Sequence, residues 1–170
     1  YSGMKGTICV TPGVSGWQAG VGAQRGADPV EIEAADLIVV WGGNPVHTNV
    51  NLMNHIQKAR KTNGAKLVVV DVYRTSTMAA ADIGIVLNPG TDGALACAMM
   101  QVMLAEGMAD KTFLAELTDF DTDVLTHLAE KTPEWAAEIT GVPAAEIRAF
   151  ARLYGRPAQR FLRPGVGFTR

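Results

Sequence analysis

The chain has only two cysteines in 170 residues, Cys9 and Cys97. That is too few for a disulfide framework or a cysteine zinc cluster. The formal net charge is −2, which does not favour nucleic acid or an anionic membrane as partner. No apolar run approaches the roughly 20 residues of a membrane span. No charged start followed by an apolar stretch marks a signal peptide. The Gly-x-Gly-x-x-Gly fingerprint of dinucleotide-binding turns is missing. So are a Ser/His/Asp triad, a metal cluster and paired carboxylates at catalytic spacing. Internal repeats and low-complexity segments are absent as well. With 48% hydrophobic and 19% charged residues, the composition is that of a globular protein. The length suffices for one domain with a real core. The chain starts at Tyr1 and stops at Arg170, just after a strand and a Gly-rich turn. It therefore reads as part of a longer protein, and the compartment, cytoplasmic or periplasmic, stays open.

What is present is a series of short apolar runs, each followed by a polar loop. Asp36–Trp41 leads into Gly42-Gly43-Asn44-Pro45. Lys66–Val70 leads into Asp71 and Arg74-Thr75. Ile83–Leu87 leads into Asn88-Pro89-Gly90-Thr91-Asp92. Continuous Val/Ile/Leu runs are what a parallel strand covered on both faces looks like. Ligands in such sheets sit outside the carboxyl ends of the strands. Three polar loops at neighbouring strand ends suggest one long ligand across the sheet edge.

Between the first two runs lies a helical pattern, roughly Thr48 to Thr62. Its apolar face is Leu52, Ile56 and Ala59, and a basic last turn and Asn63-Gly64 end it. Asp28 and Pro29 start a short helix before the first strand. Thr75 to Ala81 reads as a short helix or turn. Asp92 is expected to cap a long apolar helix, Gly93 to Glu106, which buries Cys97 as a small apolar residue. Helices then run from Asp110 to Tyr154, with starts at Asp110, Asp121, Thr132-Pro133 and Val142-Pro143. A fourth strand, Arg160 to Arg163, ends in Gly165-Val166-Gly167. The fold class is α/β: a parallel sheet with helices on both sides and a helical insertion before the last strand. Residues 1–29 read as a Gly-rich loop region, 30–109 as a βαβ core, 110–155 as a helical segment and 159–170 as the last strand and its Gly turn.

Each candidate site residue has an ordinary alternative. Gly42-Gly43-Asn44-Pro45 lets backbone amides approach an anion, or is merely a tight turn. Asp71 can accept from a ribose or a purine edge, or cap a helix or pair with Arg74. Arg74 and Thr75 are within reach of a phosphate. Gly90 permits a positive φ, Thr91 supplies a hydroxyl, and Asp92 can cap its helix or bind a base; a cap alone explains Asp92 but not the whole run. His55 and His127 belong on helix surfaces, and His47 lies beside the first loop.

Taken together these residues resemble the molybdopterin oxidoreductases of the dimethyl sulfoxide reductase family. The likeness runs through Ala35–Pro45, Gly64–Asp71, Arg74-Thr75, Ala80-Ala81-Asp82 and Pro89–Leu95. It continues through Thr132-Pro133-Glu134-Trp135, Ile139–Ile147 and Gly165-Val166-Gly167. It implies a Rossmann-like three-layer sandwich, all of 1–170 belonging to one domain that binds molybdopterin guanine dinucleotide. It implies a molybdenum or tungsten ion held between the dithiolenes of two such dinucleotides in the intact enzyme, one gripped mainly here. An iron–sulfur cluster outside these residues is left open.

By the same resemblance Gly43, Asn44 and His47 lie near phosphates. Asp71, Arg74 and Asp92 bind the guanosine end, with Thr75 nearby and Pro89, Gly90 and Thr91 shaping the pocket. Gly165, Val166 and Gly167 run close to the pterin. Cys9, in Ile8–Gly16, stands where relatives carry a metal ligand, and a thiolate suits such a metal. Val10 follows it where formate dehydrogenases have His, which leaves a sulfoxide or N-oxide reductase open beside formate or nitrate chemistry. The implied activity is transfer of an oxygen atom or a hydride equivalent on a small substrate. Implied partners are the remaining domains of the polypeptide and an electron-transfer subunit, without nucleic acid or membrane contact from this segment. The alternatives are a non-catalytic relative, as in the large subunit of respiratory complex I, and a nicotinamide-nucleotide dehydrogenase domain.

Overall fold

The computed structural model describes residues 6–7, 10–23, 25–156 and 158–165. Cys9, Val166 and Gly167 lie outside them. The chain forms two compact units, one from the residues up to Val86 plus those from Gln159 onward, the other Leu87–Ala158.

The first unit begins with a helix, α1 (Val10–Val21), where the Gly-rich composition predicts a loop. Thr7 starts it: its hydroxyl accepts from the Val10 and Thr11 amides. α1 buries none of its side chains, so no apolar period betrays it in the sequence. A 3-10 turn at Pro29–Ala34 follows, its first amide held by Asp28, which accepts from Val30 N at 2.9 Å. Then come β1 (Leu37–Trp41), the short α2 (Pro45–Thr48), α3 (Val50–Asn63), β2 (Lys66–Asp71), α4 (Ser76–Ala79) and β3 (Ile83–Val86). β4 (Arg160–Pro164) returns from the second unit. The four strands are all parallel, in the order β3-β2-β1-β4.

Ile38, Val40, Leu67, Val69 and Phe161 on one sheet face pack with Leu52, Met53, Ile56 and Ala59 of α3. On the other face Leu37, Val39, Val68 and Val70 are equally buried. Burial on both faces is why β1 and β2 read as unbroken apolar runs. α3 stops at Gly64, whose φ of +67° closes the cap. On its outer side Lys58 and then His55 hydrogen-bond the Glu33 carboxylate and hold it below the usual carboxylate range.

Asp82, in the turn before β3, anchors the start of β2. Its Oδ2 accepts from the buried Leu67 amide at 2.7 Å, and its Oδ1 from Arg60 Nη2 at 2.8 Å. Asp82→Ala leaves the Leu67 amide buried without its acceptor, a cost of about 1–3 kcal/mol. Arg60→Ala removes a part-exposed ion pair, worth about 0–1 kcal/mol, and an exposed bond to Ala80 O, but leaves the acceptor of the Leu67 amide in place. Hydrogen exchange at Leu67 is therefore expected to speed up in Asp82→Ala, much less in Arg60→Ala. Equal exchange in the two would refute this anchoring role.

The second unit is helical: α5 (Asp92–Ala105), α6 (Lys111–Leu117), α7 (Thr122–Ala129), α8 (Pro133–Thr140) and α9 (Ala144–Gly155). Asp110, Asp121 and Thr132 each cap the helix they precede. α5 and α9 are joined by Arg152, which donates to both oxygens of Glu106.

Candidate functional site

The loops after β1 and β4 come together where the strand order reverses, the position at which open parallel sheets bind ligands. Gly42 turns the chain off β1 with φ +66° and donates its amide to Val70 O at 2.8 Å. Gly165 continues from β4 and donates its amide to Trp41 O at 2.7 Å. A Cβ on Gly165 would lie 2.2 Å from Gly42 O and 2.8 Å from Gly42 C. Gly165 is thus glycine because two backbones touch. Gly43 differs: a Cβ there would meet Val40 Cγ1 at 3.7 Å and Gly165 Cα at 4.0 Å, ordinary contacts. Gly43 is also absent from the glycines with positive φ. No described contact requires a glycine at 43.

The loops after β1 and β2 are tied by side chains. Thr77, fully buried, donates its hydroxyl to Asn44 Oδ1 at 2.7 Å and accepts from Val46 N at 3.2 Å. His47 Nε2 and Ser76 Oγ lie 2.9 Å apart. Asp71 Oδ1 accepts from Val72 N at 2.8 Å. Arg74 is exposed. Thr75 is buried, and its hydroxyl caps α4 by accepting from Met78 N at 3.1 Å. Sequence reasoning missed Ser76 and Thr77. Their only signal was the hydroxyl run Thr75-Ser76-Thr77 directly after a strand.

Beside Gly165 a cavity of about 530 Å³ lies between α1 and the end of β4. Val14 and Trp17 of α1 line it with Leu162, and Arg25 and Arg163 stand on its wall. Cys9 immediately precedes the helix that forms this wall. Among the described residues no three His, Cys, Asp or Glu side chains converge as a metal nest. No described helix is long and apolar enough to cross a membrane.

In the second unit the Asn88–Asp92 turn is held on α8. Asn88 N donates to Thr140 O at 2.9 Å and Asn88 Nδ2 to Ile139 O at 3.0 Å. Gly90 has φ +77°. Thr91 takes the N-cap position expected for Asp92, which lies in the first turn of α5. The cause is local: the Thr91 hydroxyl turns back to donate to Asn88 O at 2.7 Å, making no cap bond. Cys97 is half-buried rather than buried. The role of Pro89, Gly90, Thr91 and Asp92 toward a ligand rests on the sequence resemblance alone.

A family model described as molybdopterin oxidoreductase matches residues 6–160. The chain belongs to the molybdopterin oxidoreductase family. It is 38% identical over 166 residues to a probable oxidoreductase, YoaE, of Bacillus subtilis, covering 98% of this chain and 24% of that protein. With formate dehydrogenase H of Escherichia coli it shares 35% over 159 residues, 93% of this chain and 22% of the relative. Among solved structures, acetylene hydratase from Pelobacter acetylenicus superposes with a TM-score of 0.81 at 26% identity, over 94% of this chain and 22% of that one. The chain thus spans about a quarter or less of the relatives it matches. Molybdopterin oxidoreductase membership implies a pterin cofactor with molybdenum or tungsten. These relatives favour neither the nicotinamide dehydrogenase nor the non-catalytic alternative.

The first unit fits such a group. It offers a side-chain-free position at Gly43 that no described contact explains, and an adjacent amide, Asn44 Nδ2, that no described residue engages.

Proposed function

We propose that the loops after β1 and β4 bind one molybdopterin guanine dinucleotide, and that Cys9 supplies a thiolate to its metal. The observation carrying this reading is Gly43, a glycine at the sheet's reversal point that no contact with the described residues requires. Gly43 and Asn44 present backbone and side-chain amides to phosphate oxygens, and His47, tied to Ser76, stands with them. Asp71 and Arg74 at the end of β2 take the guanosine, the carboxylate accepting from the purine edge or the ribose. Gly165 brings the last strand against the pterin. The cavity beside α1 leaves room for the metal-bearing end and for a small substrate.

Bound there, the cofactor supplies two-electron chemistry at its metal; the protein binds, orients and excludes water. Cys9, the residue before Val10 in the sequence, is a soft donor of the kind this metal takes. The activity proposed for the intact polypeptide is oxygen-atom or hydride-equivalent transfer on a small substrate. Formate, sulfoxides and N-oxides are the first compounds to assay, since relatives are named for formate and for dimethyl sulfoxide.

The test is made on the intact polypeptide. Purified enzyme should contain one molybdenum or tungsten, two pterins and two guanine nucleotides released on hydrolysis. X-ray absorption should count one sulfur fewer around the metal in Cys9→Ala than in the wild type, with pterin content kept and turnover lowered by about a hundredfold or more. An unchanged sulfur count would remove Cys9 from the metal. A wild-type enzyme without molybdenum, tungsten or pterin would end the whole reading.

A further inference from the structure

Thr77, in the short α4 after β2, has a polar side chain with no solvent exposure, and it touches a proposed ligand residue. Its chemistry determines which way that residue faces. Val46 N can only donate, so the Thr77 hydroxyl must accept from it, at 3.2 Å. The hydroxyl proton is then left for Asn44 Oδ1, at 2.7 Å. Thr77 N also donates to the same oxygen, at 3.3 Å. Two donors converge on one atom of the Asn44 amide, so that atom must be the oxygen. The flip that usually leaves an asparagine ambiguous is thereby settled. Asn44 Nδ2, with its two N–H groups, is turned away from Thr77 and engages no described residue.

We propose that Thr77 is a positioning residue: it locks the Asn44 side-chain amide so that Nδ2 donates to a phosphate oxygen of the bound dinucleotide. This rests on the dinucleotide reading given above. Without the Thr77 hydroxyl only the longer bond from Thr77 N holds Asn44 Oδ1, so the amide turns more easily and an oxygen faces the phosphate for part of the time. Hydrogen bonds to charged groups exceed neutral ones in strength, so the orientation matters more for an anionic ligand than for the fold.

Four single variants and one double variant of the intact enzyme test this, with pterin per polypeptide and cofactor release into inorganic phosphate as readouts. Thr77→Val keeps the shape and removes the hydroxyl; cofactor retention should fall about tenfold. Thr77→Ser restores the hydroxyl and should rescue retention. Asn44→Ala should lose retention by a similar factor, and adding Thr77→Val to it should cost nothing further in retention, although the melting temperature falls again. A merely structural Thr77 would give additive losses in both, which would overturn the proposal. Asn44→Asp covers the case in which Thr77→Val does not fold. It keeps an oxygen for Thr77 but has no N–H, so it should fold and still lose retention about tenfold. Wild-type retention in Asn44→Asp would overturn the proposal too. Absence of the guanine dinucleotide from the wild type is a separate result, and it overturns the underlying reading together with this one.

Discussion

Gly165→Ala in the intact polypeptide is expected to loosen the end of β4 and to lower stability by about 2–4 kcal/mol, an overpacking cost plus a lost buried hydrogen bond. The reason is that the new methyl would meet backbone. Its Cβ would sit 2.2 Å from Gly42 O, 2.8 Å from Gly42 C and 3.2 Å from Gly43 Cα. No side-chain rotation relieves a clash with a carbonyl. β4 must draw back from β1, and the Gly165 amide then loses Trp41 O, now 2.7 Å away. The register pairing Trp41 with Pro164 ends at that bond, so fraying should begin there. Hydrogen exchange of the β4 amides and the denaturant midpoint check it. Gly64→Ala is the control: Gly64 has φ +67° with open space around it, so alanine there meets conformational strain alone, worth about 1 kcal/mol. If Gly165→Ala costs no more than Gly64→Ala, the close approach of the two loops is not rigid.

How much could be read beforehand follows from where each element finds its partners. β1, β2 and α3 were legible because the strands bury their apolar residues on both sheet faces and α3 buries Leu52, Met53, Ile56 and Ala59, which imposes the pattern on the sequence. The caps at Asp28, Asp110, Asp121 and Thr132 were legible because a cap is a contact between near neighbours. α1 was not: it buries nothing and carries Pro12, Gly13, Gly16 and Gly20, so period and propensity both point to a loop. α2 is a single turn after Pro45, too short to show a period. Asp92 looked like a cap because aspartate before an apolar run usually is one, yet Thr91 holds that position.

At the site the same division holds. Gly43, Asn44 and His47 stood out as small and polar residues after a buried strand. Thr77 did not, because its meaning depends on a bond to Asn44 across 33 positions of sequence. Long-range polar pairs leave no period behind.

Gly43→Ala is expected to do the reverse of Gly165→Ala. Among the described residues the Cβ would make only ordinary contacts, 3.7 Å to Val40 Cγ1 and 4.0 Å to Gly165 Cα. Gly43 is not among the glycines with positive φ. Alanine should therefore fold as well as glycine, or gain about 0.4–1 kcal/mol by restricting the unfolded chain. Its methyl would nevertheless occupy the space through which a phosphate approaches the backbone beside Asn44. Displacing a charged oxygen from such a contact removes about 1.5–3 kcal/mol, roughly a ten- to hundredfold loss of cofactor retention. Gly43→Val should lose more. Pterin and guanine content per polypeptide, read beside the denaturant midpoint, separate the two effects. A variant that is stable and empty is the signature of a glycine kept for a ligand. A variant that is stable and full would show that nothing approaches the chain there, and the dinucleotide would have to bind elsewhere.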